Sequence, residues 1–170
     1  MRERGPAHQP HVFADDSILF CRPQISAAPA FVVYSGPMSR DPGSKDDKGK
    51  VIIARSRQLD GSFSSDTGKL LALREGLLLA KFYNIDVKTA EVDSSFVASI
   101  LNSQKPFLGD AKFIVNDIKA LFLAFGICKC QATLKSGNSL ALNLAMLAFS
   151  SSREQIWLDS SPLVVLFLVF

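Results

Sequence analysis

The sequence predicts a layered α/β domain in which helices pack on a mixed sheet. Three observations predict it. Short β-favouring runs alternate with helical periods, in the order β, β, α, β, α, α, β, α from residue 31 onward. One helical period, in the middle of the chain, is long and cleanly one-sided. With 170 residues, 48% of them hydrophobic and thirteen of them Phe, there is material for one core of ordinary size. That composition excludes a chain disordered throughout.

The elements follow in order. Residues 1–10, "MRERGPAHQP", are basic and Pro-containing and read as disordered, without the apolar run of a secretory signal. Residues 11–21, "HVFADDSILFC", read as two short strands around a turn at Asp15-Asp16. Adjacent carboxylates repel, so that pair is either solvated in the turn or held for a cation. After a linker, "FVVY" (31–34) and "KVIIARS" (50–56) are strands, separated by a loop rich in Gly, Pro and charge.

In "SSDTGKLLALREGLLLAKFYN", Leu70, Leu73, Leu77 and Ala80 recur at helical spacing, with Ser65 or Asp66 as the cap. "DVKTAEVD" (86–93) is a strand ending in a carboxylate. "SSFVASILNS" is a short helix capped by Ser94 or Ser95, and "LGDAKFIVNDIKALFLAFG" is another, with Gly126 placed to stop it. "ICKCQATLK" alternates as a strand, and "SGNSLALNLAMLAFSSS" is a final helix starting at Ser136 or Asn138. Between Leu140 and Phe149 only Asn143 is polar, so this helix is apolar nearly all round. That predicts either a covering surface, as in a homo-oligomer, or relaxed selection on the helix surface.

The formal charge of +3 permits nucleic-acid binding without arguing for it. An odd count of three cysteines with no signal peptide predicts an intracellular setting, nucleus or cytoplasm. Cys128 and Cys130 share one face of a strand, but no nearby Cys or His pair completes a zinc site, so they are expected as small buried hydrophobes. The terminal "PLVVLFLVF" is only nine residues long, about half of what a membrane-spanning helix needs.

Ala72-Leu73-Arg74-Glu75-Gly76-Leu77 and Glu91-Val92-Asp93-Ser94 resemble two motifs of the plant RNase H-like domain of non-LTR retrotransposons. Gly137 to Ala145 is similar to that family's Ala-Asn-x-x-Ala-Asp-x-Leu-Ala, and "WLDSSP" to its Trp-and-Pro ending. Phe13-Ala14-Asp15-Asp16 looks like the Phe-Ala-Asp-Asp box of non-LTR reverse transcriptases. The resemblance implies an RNase H-like fold over residues 31–165 with a truncated or degenerate first half. Residues 1–30 would hold a reverse-transcriptase fragment, and 166–170 an apolar tail. It implies nucleic acid, an RNA–DNA hybrid or RNA, as partner, and Mg²⁺ or Mn²⁺ as cofactor.

The implied activity is two-metal hydrolysis of the RNA strand, which needs several carboxylates converging on the ions. Of the family's four acids, Asp93 alone is matched, as the candidate catalytic and metal-binding residue. The first would align near Tyr34, the helix glutamate aligns with Lys69, and the last aspartate aligns with Leu142. The family's flexible histidine has no counterpart around Ala132 and Thr133. Glu75 lies six residues after Lys69, about 240° round the helix, and points elsewhere. Asp60 and Asp66 are placed in the loop before the helix, from which they would have to approach the site, with nothing in the sequence to fix them. Lys69 is expected to pair with Asp93, and catalysis to be lost. Asp93 has a simpler reading as the cap of the helix that follows. Asp15 and Asp16 are weak metal candidates, since a polymerase palm needs an upstream strand with a further aspartate. The alternative to a nucleic-acid-binding protein is a retroelement remnant or an oligomeric scaffold.

Overall fold

The computed structural model describes residues 16–20, 30–35, 50–57, 63–127, 129–133, 144–146 and 153–158. Six strands, β1 (Asp16–Phe20), β2 (Ala30–Ser35), β3 (Lys50–Ser56), β4 (Thr89–Val92), β5 (Cys130–Ala132) and β6 (Gln155–Leu158), form one sheet. Its order is β5-β4-β1-β2-β3-β6. Three helices, α1 (Ser65–Phe82), α2 (Ser95–Asn102) and α3 (Lys112–Phe125), pack on it. The sheet is mixed, as expected. β1, β2, β3 and β6 run antiparallel in succession, while β4 is parallel to both β1 and β5.

Two strands differ from the sequence reading. The opening strand is Asp16–Phe20, not residues 31–34, which belong to β2 as the second strand of the meander. Asp16 is therefore strand backbone, paired with Ser35, and not part of a turn between two strands. The reason is non-local: "SILF" gains two partners, β2 on one side and β4 on the other, which a short isolated apolar run does not reveal. Gln155–Leu158 is the second, an edge strand laid antiparallel on β3 with Trp157 opposite Ala54.

The helices follow their sequence signals closely. Leu70, Leu73, Leu77 and Ala80 of α1 are all buried, against Ile53, Val87, Ala90, Val92, Val115 and Ile118 in one core. Burying each of the larger side chains contributes about 1.5–3 kcal/mol. The cap of α1 is Ser64 and not the expected Ser65 or Asp66, which lie inside the first turn; the Ser64 Oγ accepts from the Thr67 N–H at 3.2 Å. At the other end Asn84 takes a left-handed conformation (φ 54°) and the Ile85 N–H reaches back to the Ala80 carbonyl. α3 stops as predicted at Gly126, also left-handed (φ 70°), where a side chain would be strained.

The final helix is described only at Leu144–Met146. Leu144 and Ala145 are buried, Met146 is exposed, and the Leu144 carbonyl accepts from Ser56 Oγ of β3 at 2.8 Å. This turn therefore packs on its own chain, and nothing in it supports the expected homo-oligomer. Among the described residues no helix is long and apolar enough to cross a membrane. The terminal apolar run, His8, His11, Asp15, Cys21, Cys128 and Leu142 lie outside the described residues.

β5 is one edge of the sheet, and a side chain closes it. Asn102, the last residue of α2, receives the Cys130 N–H and donates to the Cys130 carbonyl, both at 2.8 Å. This fork occupies the backbone pair that would otherwise template another strand. The Cys130 side chain is buried as expected, and burial, with Glu91 adding a smaller effect, pushes its thiol from 9.0 up to about 12.

Two outcomes follow from this edge. Asn102→Ala removes both bonds from this part-buried edge and should lower stability by about 0.5–1.5 kcal/mol in urea denaturation. The raised Cys130 thiol contributes stability that is full below pH 9.0 and is lost as pH rises toward 12. Cys130→Ala should therefore flatten the alkaline limb of a stability–pH curve, whatever it costs at neutral pH.

Candidate functional site

β1 and β4 run parallel, with Phe20 opposite Val92, and Asp93 is the first residue beyond that paired end. Sites in open α/β sheets form at the carboxyl ends of parallel strands, because the chain departs there in different directions and leaves a crevice. The alternation of β4 dictates the approach: Ala90 and Val92 are buried, so the strand is anchored up to the residue before the carboxylate. Ser94 then caps α2, its Oγ accepting from the Val97 N–H at 3.2 Å. The cap of α2 is thus Ser94, and Asp93 is left for another purpose.

That purpose is visible on α1. Lys69 Nζ lies 3.0 Å from Asp93 Oδ1, with the side chains 7% and 3% exposed. Helical spacing places Lys69 one residue before Leu70, on the edge of the buried stripe, and its aliphatic stem runs inward with that stripe. At that distance the ammonium is the counter-charge of the buried carboxylate. The expected pairing of Lys69 with Asp93 is present, deep in the protein.

A second acid reaches the site. Asp66, in the first turn of α1, accepts a hydrogen bond from Ser94 Oγ at 3.0 Å. Ser94 thus ties the N-terminal turns of α1 and α2 together, which is the constraint on Asp66 that the sequence did not supply. The signal was present as a Ser directly after Asp93, legible only once the two turns are known to meet.

The remaining acids are elsewhere. Glu75 is engaged by Arg55 Nη1 at 3.4 Å and by Arg74 Nη2 at 3.2 Å, and Arg55 Nε also lies 2.7 Å from Glu154. Arg74 reaches Asp117 of α3 at 3.4 Å. These ion pairs join β3, β6, α1 and α3, and they hold Glu75 away as its helical angle predicts. Asp16 begins β1, four residues before Phe20, so its backbone lies roughly 13 Å from the end that holds Asp93. The structure does not bring it to the site. At the same end of β5, Ala132 and Thr133 carry no charge, and the Thr133 N–H is bonded to the Val92 carbonyl at 2.9 Å.

The donor set does not fit a divalent metal. Among the described residues no group of three or more His, Cys, Asp or Glu side chains is placed to hold one. Asp93 and Asp66 are two carboxylates, and the first already faces a cation.

The comparisons agree with this architecture. A family described as reverse transcriptase-like matches residues 44–148. Among solved structures, the chain is similar to RNase H1 from the halophilic archaeon Halobacterium salinarum NRC-1. That match has 17% identity and a TM-score of 0.66, and covers 81% of this chain and 98% of that one. The N-terminal RNase H domain of Rv2228c from Mycobacterium tuberculosis, solved as a maltose-binding-protein fusion, matches at 14% identity and TM-score 0.57. That match covers 81% and 96% of the two chains. LC11-RNase H1, isolated from compost by a metagenomic approach, matches at 14% and 0.52, covering 80% and 96%. At these identities the likeness shows the fold, which is RNase H-like. No curated protein matches the chain in sequence.

Breaking one side of a buried pair strands the other charge, whereas replacing both leaves no buried charge to neutralise. Lys69→Met and Asp93→Asn should each cost about 3–5 kcal/mol. The double variant should recover most of that loss, measured as a double-mutant cycle in urea.

Proposed function

The chain belongs to the reverse transcriptase-like family, and from that premise we propose an RNase H-like nucleic-acid-binding protein whose two-metal hydrolysis is impaired. The observation that carries the proposal is the buried Lys69–Asp93 pair at the carboxyl end of β4. Hydrolysis of an RNA strand in an RNA–DNA hybrid by this chemistry needs two ions clamped by carboxylates, one to activate water and one to stabilise the leaving oxygen. An ammonium beside Asp93 supplies a single fixed charge, with no open coordination position for water. The chemistry is thereby lost while the fold that presents the site is kept.

Binding makes smaller demands. The net charge of +3 permits a polyanion, and the N-terminal turns of α1 and α2 meet beside the site, where helix dipoles favour phosphate. Recognition of this kind reads backbone and shape, so it tolerates sequence and weakens with salt. Descent from a non-LTR retroelement belongs to the same proposal. Its support is the family match together with the Phe13-Ala14-Asp15-Asp16 box.

The experiment pairs binding with cleavage on one end-labelled RNA–DNA hybrid. Anisotropy should show binding that falls about tenfold or more between roughly 50 and 200 mM salt. Gel analysis with Mg²⁺ or Mn²⁺ should show an intact RNA strand. Cleavage that disappears in Asp93→Asn would contradict the loss of chemistry, and absence of binding at low salt by folded protein would contradict the binding role.

A further inference from the structure

We infer that Lys69 is a tethered replacement for a divalent cation, which makes the site independent of metal and leaves a latent metal site beneath the ammonium. The inference rests on the RNase H-like reading of the site and concerns what neutralises it. A carboxylate as buried as Asp93, 3% exposed, requires a counter-charge, and the described residues supply one, Lys69 Nζ at 3.0 Å. A buried carboxylate oxygen whose nearest partner is a cation is in the condition of a metal ligand, with the cation delivered here by the helix itself.

The position of Lys69 fits that role. It lies on α1 three residues after Asp66, so the two stand on neighbouring turns of one helix face. Asp66 is fixed by Ser94 Oγ at 3.0 Å, and Ser94 directly follows Asp93. Two carboxylates therefore bracket residue 69, one from its own helix and one from the end of β4. A third carboxylate at position 69 would exchange the resident cation for a ligand. The site would then hold three oxygen donors of the kind that bind Mg²⁺ or Mn²⁺. Glu75 cannot do this from its place on the same helix, because it is drawn away by Arg55 and Arg74.

The test is a Mn²⁺ titration without nucleic acid, read by thermal unfolding and calorimetry on the wild-type chain, Lys69→Glu and Lys69→Met. The wild-type melting temperature should be the same in EDTA and in millimolar Mn²⁺. Lys69→Glu should gain one Mn²⁺ per chain, and roughly 5–10 °C at a hundredfold excess over Kd. If that variant is unfolded without metal, Mn²⁺ should restore its circular dichroism. Lys69→Met, which removes the charge and adds no ligand, should gain a smaller Mn²⁺-dependent shift from the exposed need of Asp93. Stoichiometric Mn²⁺ binding by the wild type would overturn the inference. So would failure of both variants to respond. Because no nucleic acid is present, loss of hybrid binding alongside the expected metal response would count against the proposed function alone.

Discussion

The ion pair between Lys69 and Asp93 is the constraint around which the rest of the site is arranged. Two opposite charges buried to this degree cost more to desolvate than an apolar pair of the same size, so the contact is weak evidence for stability. Its consequence is positional. Asp93 directly follows β4, one strand in from the β5 edge, Lys69 sits in the second turn of α1, and the pair fixes that helix over the end of that strand. Ser94 extends the same joint to α2 by capping it and holding Asp66 at once. A single structural need, neutralising one carboxylate, thus brings together the N-terminal turns of two helices.

On the proposed function, the same need decides what the site can do. In a two-metal centre the protein supplies negative charge and the ions supply the chemistry. Here positive charge comes from the chain, at one point, without exchangeable ligands. The surrounding charges reinforce the outcome, since Arg55 and Arg74 hold Glu75 within a separate surface network reaching Glu154 and Asp117. Hydrolysis and binding are thereby separated: the first depends on ions, the second on shape and backbone charge.

Much of this was legible in the sequence where the signal is local. The spacing of Leu70, Leu73, Leu77 and Ala80 fixes α1 and its buried face, and Gly126 ends α3. Helical phase separates Lys69 from Glu75, and the pairing with Asp93 followed from the resemblance that aligns both positions with site acids. What depended on distant partners was not legible. β1 is a five-residue run whose neighbours come from β2 and β4, and its leading carboxylate reads as turn chemistry. β6 is four residues long and gains its identity from β3. The fork of Asn102 on Cys130 and the hydroxyl bridge from Ser94 to Asp66 join residues 28 apart in each case, through polar side chains with no periodic pattern. The last helix misled for the opposite reason: its apolar composition suggested an outside partner, whereas its described turn buries Leu144 and Ala145 on this chain.

The central claim is that an ammonium stands where a metal would. It is tested most directly by anomalous diffraction at the manganese edge from crystals grown in Mn²⁺. The account predicts no manganese peak beside Asp93, with Lys69 Nζ in contact with its carboxylate. A manganese peak on Asp93, with the Lys69 side chain swung away, would contradict it.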